Sequence, residues 1–183
     1  GGEHIVFDID GLTIQRVSLN DDSSSVEFIV GEGNDMGQSL EIPITPETNS
    51  VSIDYVTSEG AKALDWLGSE QTADKTHPFL FTQGQAILTR SWIPCQDSPG
   101  IRYTYNATVK VPQGMLALMS ASNPQEKNGS GVYEFKMEQP IPSYLMALAA
   151  GDIEFRSIGG RTGVYAESSV VEKAAWEFGD MEE

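Results

Sequence analysis

Gln83 and Gln85, separated by Gly84, are the residues of this chain whose types and spacing most directly suggest chemistry. On a strand, positions i and i+2 project from one face, so the two amides would point the same way. Each amide offers a carbonyl acceptor and an NH2 donor. Two acceptors converging on one point could hold a substrate ammonium without the fixed charge of a carboxylate. Gly84 between them would let another backbone or a ligand approach closely. The same pair also reads as an ordinary polar strand face, and Gln-x-Gln alone does not separate the two readings.

Other chemistries are poorly supplied. A hydrolytic metal site takes about three protein ligands, often His, and keeps a fourth position open. The histidines are His4 and His77, with no HExxH, so no zinc site is expected within the chain. His77, beside Pro78, reads as a loop histidine. No GxSxG nucleophile elbow and no phosphate-cradling P-loop occurs. Cys95 has no histidine near it in sequence and reads as a small packed residue. It is the only cysteine, which excludes an internal disulfide. Neither a catalytic residue nor a metal ligand is therefore expected in these 183 residues.

The elements that must position the glutamines are short β-branched and aromatic runs punctuated by turn residues. They fall at 5–10, 13–19, 26–30, 39–44, 51–57, 79–85, 101–111, 115–120, 132–137, 144–150, 153–157 and 162–166. Strands at this spacing argue for an antiparallel sandwich or saddle-like sheet. Residues 20–23 form a loop by composition, and Pro43 and Pro46 mark a strand end or an edge. In 101–111, Ile101, Tyr103, Tyr105, Ala107, Val109 and Val111 alternate onto one face. Residues 59–75 have no clean period and read as a long ordered connection with one apolar piece, 63–67. Ser98-Pro99-Gly100-Ile101 suits a type II turn with Gly100 at positive φ, and 123–131 suits a hairpin loop.

Only the end has a helical period. Ser169 and Glu172 match a capping box. Val171, Ala174, Ala175 and Phe178 form one apolar stripe, predicting a helix to about Met181. The fold class is thus mainly β, an antiparallel sandwich or saddle-like sheet domain with a C-terminal helix. The domain reading is a β-rich body over 1–167 and the start of a linker helix over 168–183.

Twenty-seven acidic against 11 basic side chains leave a formal charge of −16. That field disfavours nucleic-acid backbones and anionic membrane surfaces as partners. It suits solubility and could draw cationic groups such as peptide N-termini. No run of 18 apolar residues exists to span a bilayer.

Several segments are more specific than composition. They are ALDWLGSEQT (63–72), HPFLFTQGQA (77–86), R-x-x-x-PCQDSP (90–99), VPQGMLALMSA (111–121), QPIPSYLMALAAGDIE (139–154) and SSVVEKAAWEF (168–178). In this order they resemble the N-terminal domain of the zinc aminopeptidase family that includes leukotriene A4 hydrolase. The resemblance runs from about Phe7 to the end, loosely before Glu59. It implies a mostly antiparallel β-domain leaning on a separate thermolysin-like catalytic domain, with a helical domain beyond. It implies zinc in the parent enzyme, held by an HExxH helix and a later Glu, and a GxMEN loop at the peptide N-terminus. All of these would follow Glu183.

The resemblance also implies what this domain contributes. Gln85 stands where many aminopeptidases of the wider family carry a Glu that binds the free α-amino group. Gln83 matches the preceding family Gln, and Ala86 would flank the first side-chain pocket. Gly84 departs from the cysteine often found there, which implies altered packing without loss of its neighbours' roles. The implied partners are a peptide N-terminus and the protein's own catalytic domain, with first strands upstream of Gly1. Without those parts a sheet edge and an apolar docking face would stand open. The alternative is a stand-alone, non-catalytic β-sandwich binding module with the glutamines as strand-face polars.

Overall fold

The computed structural model describes residues 3–20 and 22–182. Gly1, Gly2, Glu183 and Asp21 of the predicted 20–23 loop lie outside the described residues. The chain divides into two compact units.

The first unit comprises Gly1–Leu64, Gln83–Tyr103 and Ile141–Met146. Its β-branched runs form β1 (His4–Ile9), β2 (Thr13–Leu19), β3 (Ile29–Val30), β4 (Gln38–Pro43) and β5 (Val51–Val56). β4 lies between β1 and β3, antiparallel to both. β2 pairs antiparallel with β5, with a register shift between Ile14 and Arg16. Alternation turns one face of each sheet inward. Ile9, Leu12, Val17, Leu40 and Ile42 are buried together there, with Phe7, Phe28, Ile53 and Tyr55 packed against them. Each fully buried aliphatic side chain of this kind stabilises by roughly 1.5–3 kcal/mol. Pro43 is the last residue of β4, a strand end as its missing N–H requires.

The second unit comprises Asp65–Thr82, Thr104–Pro140 and Ala147–Glu183. It holds, wholly or for most of their length, β6 (Leu64–Leu67), β7 (Phe79–Thr82), β8 (Arg102–Lys110), β9 (Leu116–Met119), β10 (Val132–Pro142), β11 (Leu148–Gly151), β12 (Ile153–Ser157), β13 (Gly163–Glu167) and helix α1 (Val171–Glu177). One sheet has the order β6-β7-β11-β9; β8 pairs with β10, and β12 with β13. On β8 the predicted alternation holds, with Tyr103, Tyr105, Ala107 and Val109 half-buried and the residues between them exposed, but Ile101, expected on the same face, precedes the strand and is exposed. The ordered connection at 59–75 contains β6 within its apolar piece.

Four local expectations change. The run 144–150 is split into a 3-10 turn, Ser143–Leu145, and β11. The segment 123–131 joins β9 to β10, which lie in different sheets, so it is not a hairpin loop. The 98–101 turn closes with Ile101 N–H on Ser98 O at 3.0 Å, but Gly100 does not adopt positive φ, so the turn is not of type II. The helix is shorter than the stripe suggests and has Val170 as N-cap without a side-chain cap bond. Its capping-box glutamate is drawn elsewhere: Glu172 Oε1 accepts from Arg156 Nε at 2.5 Å. A tertiary ion pair outcompetes the local cap.

His77 is a loop histidine, and its loop is tightly organised. Asp74 Oδ1 accepts the N–H groups of Thr76 at 2.8 Å and His77 at 3.0 Å. Its other oxygen lies 2.5 Å from His77 Nδ1, and Asp152 Oδ2 lies 3.8 Å from the same nitrogen. Lys127 pairs with Asp152. The hydrogen bond from His77 holds Asp74 well below the usual carboxylate range, and the same bond pushes His77 up. A depressed acid contributes stability above its unfolded value and loses it as pH falls; a raised histidine contributes below its unfolded value and loses it as pH rises. The ordinary values are 3.8 and 6.5, so both contributions are complete between them. Replacing His77→Gln should therefore lower Tm most at about pH 4–6.5. The wild-type minus variant difference should shrink above neutrality, and a pH-independent difference in thermal melts would refute the pairing.

Candidate functional site

The strand that carries the glutamines ends at Thr82, so Gln83 to Ala86 form a turn and not a strand face. Gln83 N–H donates to Ala63 O at 2.9 Å, and Gly84 O accepts Leu88 N–H at 2.8 Å. Gln83 Oε1 accepts the backbone N–H of Gln85 at 2.9 Å. The expected convergence of two amide acceptors is therefore replaced by a division of labour. Gln83 spends its carbonyl on closing the turn, because period-two alternation ends where the extended backbone ends. The Gln85 side-chain amide has no hydrogen-bond partner among the described residues. Gln83, Gln85 and Ala86 are all exposed, and the Gln85–Ala86 peptide bond is cis.

Beneath this exposed turn lies a polar layer that is almost entirely buried. A 3-10 turn, Thr89–Ser91, follows directly, and all three residues are buried. Ser91 Oγ donates to Leu88 O at 2.7 Å and accepts Ala63 N–H at 2.9 Å, stapling the turn to the same residue that holds Gln83. Thr89 Oγ1 donates to Ser143 O at 3.0 Å, and Ser143 Oγ donates to Asp97 Oδ1 at 2.5 Å. Asp97 Oδ2 accepts both Arg90 N–H at 3.1 Å and Arg90 Nε at 3.2 Å. The guanidinium also reaches Met36 O at 2.7 Å and Asp97 O at 3.2 Å. Asp97 N–H in turn donates to Asp8 Oδ2 at 2.9 Å. A buried charge is tolerated when paired and hydrogen-bonded, and both ions here meet that condition.

Gly84 is the contact between layer and turn. A Cβ on it would lie 2.6 Å from Thr89 Oγ1 and 3.1 Å from both the Cα and the carbonyl oxygen of Tyr144. The close approach anticipated from glycine is thus made by the Tyr144 backbone. Cys95 is framework: its peptide pairs with Asp8, and burial pushes its thiol up to about 12, far from a thiolate nucleophile. Sequence reasoning missed Thr89, Ser143 and the Arg90–Asp97 pair. The available signal was an arginine and an aspartate set among Trp92, Ile93 and Cys95, where unpaired charges do not survive burial.

The residues present do not fit a catalytic zinc centre. Among the described residues, ligand atoms of Asp74, His77 and Asp152 lie within 4.8 Å of one another. The ring nitrogen nearest the carboxylates is hydrogen-bonded to Asp74, and Lys127 occupies Asp152. That arrangement is an ion network of a loop, without the three free ligands and open position that hydrolysis needs.

The mainly antiparallel β architecture is that of the N-terminal domain of solved LTA4 hydrolase. The chain matches the family described as the peptidase M1 N-terminal domain over residues 2–145, and it belongs to that family. It is 40% identical over 189 aligned residues to leukotriene A-4 hydrolase of Xenopus laevis, covering 97% of this chain and 31% of that protein. It is 46% identical over 128 residues to aminopeptidase B of Rattus norvegicus, covering 70% of this chain and 19% of that protein. A solved yeast LTA4 hydrolase superposes with a TM-score of 0.87 at 30% identity, over 98% of this chain and 28% of that one. The chain therefore spans under a third of the length of the relatives it matches.

Proposed function

We propose that this domain supplies one wall of the amino-end pocket of a zinc aminopeptidase, with Gln85 accepting a hydrogen bond from the substrate's free α-amino group. The single observation that carries the reading is the asymmetry of the glutamines. Gln83 is spent on the turn, while Gln85 presents an unspent amide from a backbone fixed by buried polar groups. A neutral acceptor can bind an ammonium through its carbonyl oxygen at low cost when the group is already positioned. Ala86, next on the exposed turn, flanks the first side-chain pocket in this reading, where its small side chain leaves room.

The zinc, and the groups that activate water on it, belong to the parent enzyme's catalytic domain. These 183 residues carry no HExxH and are inactive alone in this reading. Trp66 and Trp176 stand 63% and 81% exposed, apolar side chains that the catalytic domain could cover in this reading. No helix among the described residues is long and apolar enough to cross a membrane. A stand-alone binding module accounts less well for a match that runs through 97% of the chain to a segment of a longer enzyme.

In the full-length protein, Gln85→Ala should lower kcat/KM for an aminoacyl chromogenic substrate by about 5–150-fold, the effect of about 1–3 kcal/mol from an unpaired buried ammonium. Steady-state kinetics decide it, and an unchanged kcat/KM removes Gln85 from the site.

A further inference from the structure

We propose that Thr89, which touches no substrate in this reading, is a positioning residue that sets where Gln85 is presented. The inference rests on the amine-binding role given to Gln85 above. Thr89 is fully buried, and its hydroxyl does two things at once. It donates to Ser143 O at 3.0 Å, and it fills the space a side chain at position 84 would need, 2.6 Å from that Cβ position. Its location is held from the other side, because Ser143 is clamped by Asp97 and Asp97 by Arg90.

The path from Thr89 to Gln85 is short. Thr89 Oγ1 abuts Gly84, whose carbonyl accepts Leu88 N–H, and Gln83 Oε1 accepts the N–H of the same Gly84–Gln85 peptide. A glycine has no side chain that could rotate to absorb a push. Tyr144 stands against the same glycine through its backbone, so Gly84 sits between the Thr89 hydroxyl and the Tyr144 backbone. A displacement at Thr89 therefore bears on the peptide that presents Gln85. Replacing the hydroxyl oxygen by a methyl group keeps the shape of the side chain, but a methyl needs more room against Gly84 and cannot donate to Ser143. A misplacement of about 1 Å costs on the order of 10²-fold in enzymes, and a shift of a few tenths of an ångström correspondingly less.

The test uses the full-length protein and an aminoacyl chromogenic substrate, comparing Thr89→Val, Thr89→Ser and Gln85→Ala. Thr89→Val is expected to raise KM about 10-fold with kcat nearly unchanged, because an amine contact is made equally in ground and transition states. Thr89→Ser, which keeps the hydroxyl, should restore the wild-type KM. Thr89→Val added to Gln85→Ala should raise KM no further. If Gln85→Ala raises KM and Thr89→Val does not, Thr89 is packing only and the inference is overturned while the role of Gln85 stands. If Gln85→Ala has no effect, the amine-binding role falls and this inference with it. Should Thr89→Val fail to fold, Thr89→Ala removes the hydroxyl without crowding and is expected to raise KM in the same sense; an unchanged KM there also overturns the proposal.

Discussion

Arg90→Met is expected to lower the stability of this chain by about 3–5 kcal/mol, the cost of leaving one member of a buried ion pair alone. Asp97 has no side-chain exposure, and its carboxylate takes Arg90 Nε at 3.2 Å as its charged partner. Ser143 Oγ and the Arg90 backbone N–H would remain on the carboxylate, but neither offsets its charge. Met36 O would lose its guanidinium donor as well. Methionine fills most of the space of the arginine stem, so the deficit measured would be electrostatic rather than a cavity. Urea denaturation at pH 7 measures it directly. A loss below about 1 kcal/mol would show that Asp97 does not depend on Arg90. The companion variant Arg90→Met/Asp97→Leu should recover much of the loss, since an apolar pair leaves no buried charge unpaired.

Gly84→Cys, which installs the residue the family resemblance leads one to expect, should cost about 1–3 kcal/mol here through overpacking. The new Cβ would meet Thr89 Oγ1 at 2.6 Å, and Thr89 is a short, fully buried side chain with nowhere to turn. Two further contacts at 3.1 Å are with the Tyr144 backbone, which yields even less readily. Removing the hydroxyl should relieve part of the strain, so Gly84→Cys and Thr89→Ala should be less than additive in destabilisation. A double-mutant cycle by chemical denaturation measures that coupling, expected at about 0.5–3 kcal/mol for groups in contact. Strict additivity would mean that the Tyr144 backbone alone sets the penalty. The cycle bears on Gln85 too, because the same contact decides where the turn sits. The altered packing expected where glycine replaces the family's cysteine takes a specific form: glycine and threonine are matched to each other here.

Much of the architecture was legible in one dimension. Alternation along β8 from Tyr103 to Val109 predicted its buried face, because side-chain direction in a strand depends only on parity. Pro43 marked the end of β4 for an equally local reason, a donor the residue does not have. Two of the expectations that failed met a competing tertiary partner. Glu172 had the right spacing to cap α1 and instead pairs with Arg156, a partner 16 residues away in the chain. Gly100 could have taken positive φ and does not. The run 144–150 looked continuous and is broken by a 3-10 turn at Ser143–Leu145, where Ser143 is needed by Asp97.

The sequence by itself determined the mainly β class, the absence of an HExxH set and the segment that bears Gln83, Gln85 and Ala86, since these follow from residue identity and local order. Its motif string also pointed to the M1 peptidase family, which the match over residues 2–145 shows. Only the tertiary structure decided that Gln83 closes the turn while the Gln85 side-chain amide has no partner among the described residues, and that Thr89, Ser143, Asp97 and Arg90 form the buried polar layer. The reason is that these contacts join positions up to 54 residues apart, as between Thr89 and Ser143. Which distant polar groups become buried together, and so must satisfy one another, is settled by packing and leaves no period in the sequence.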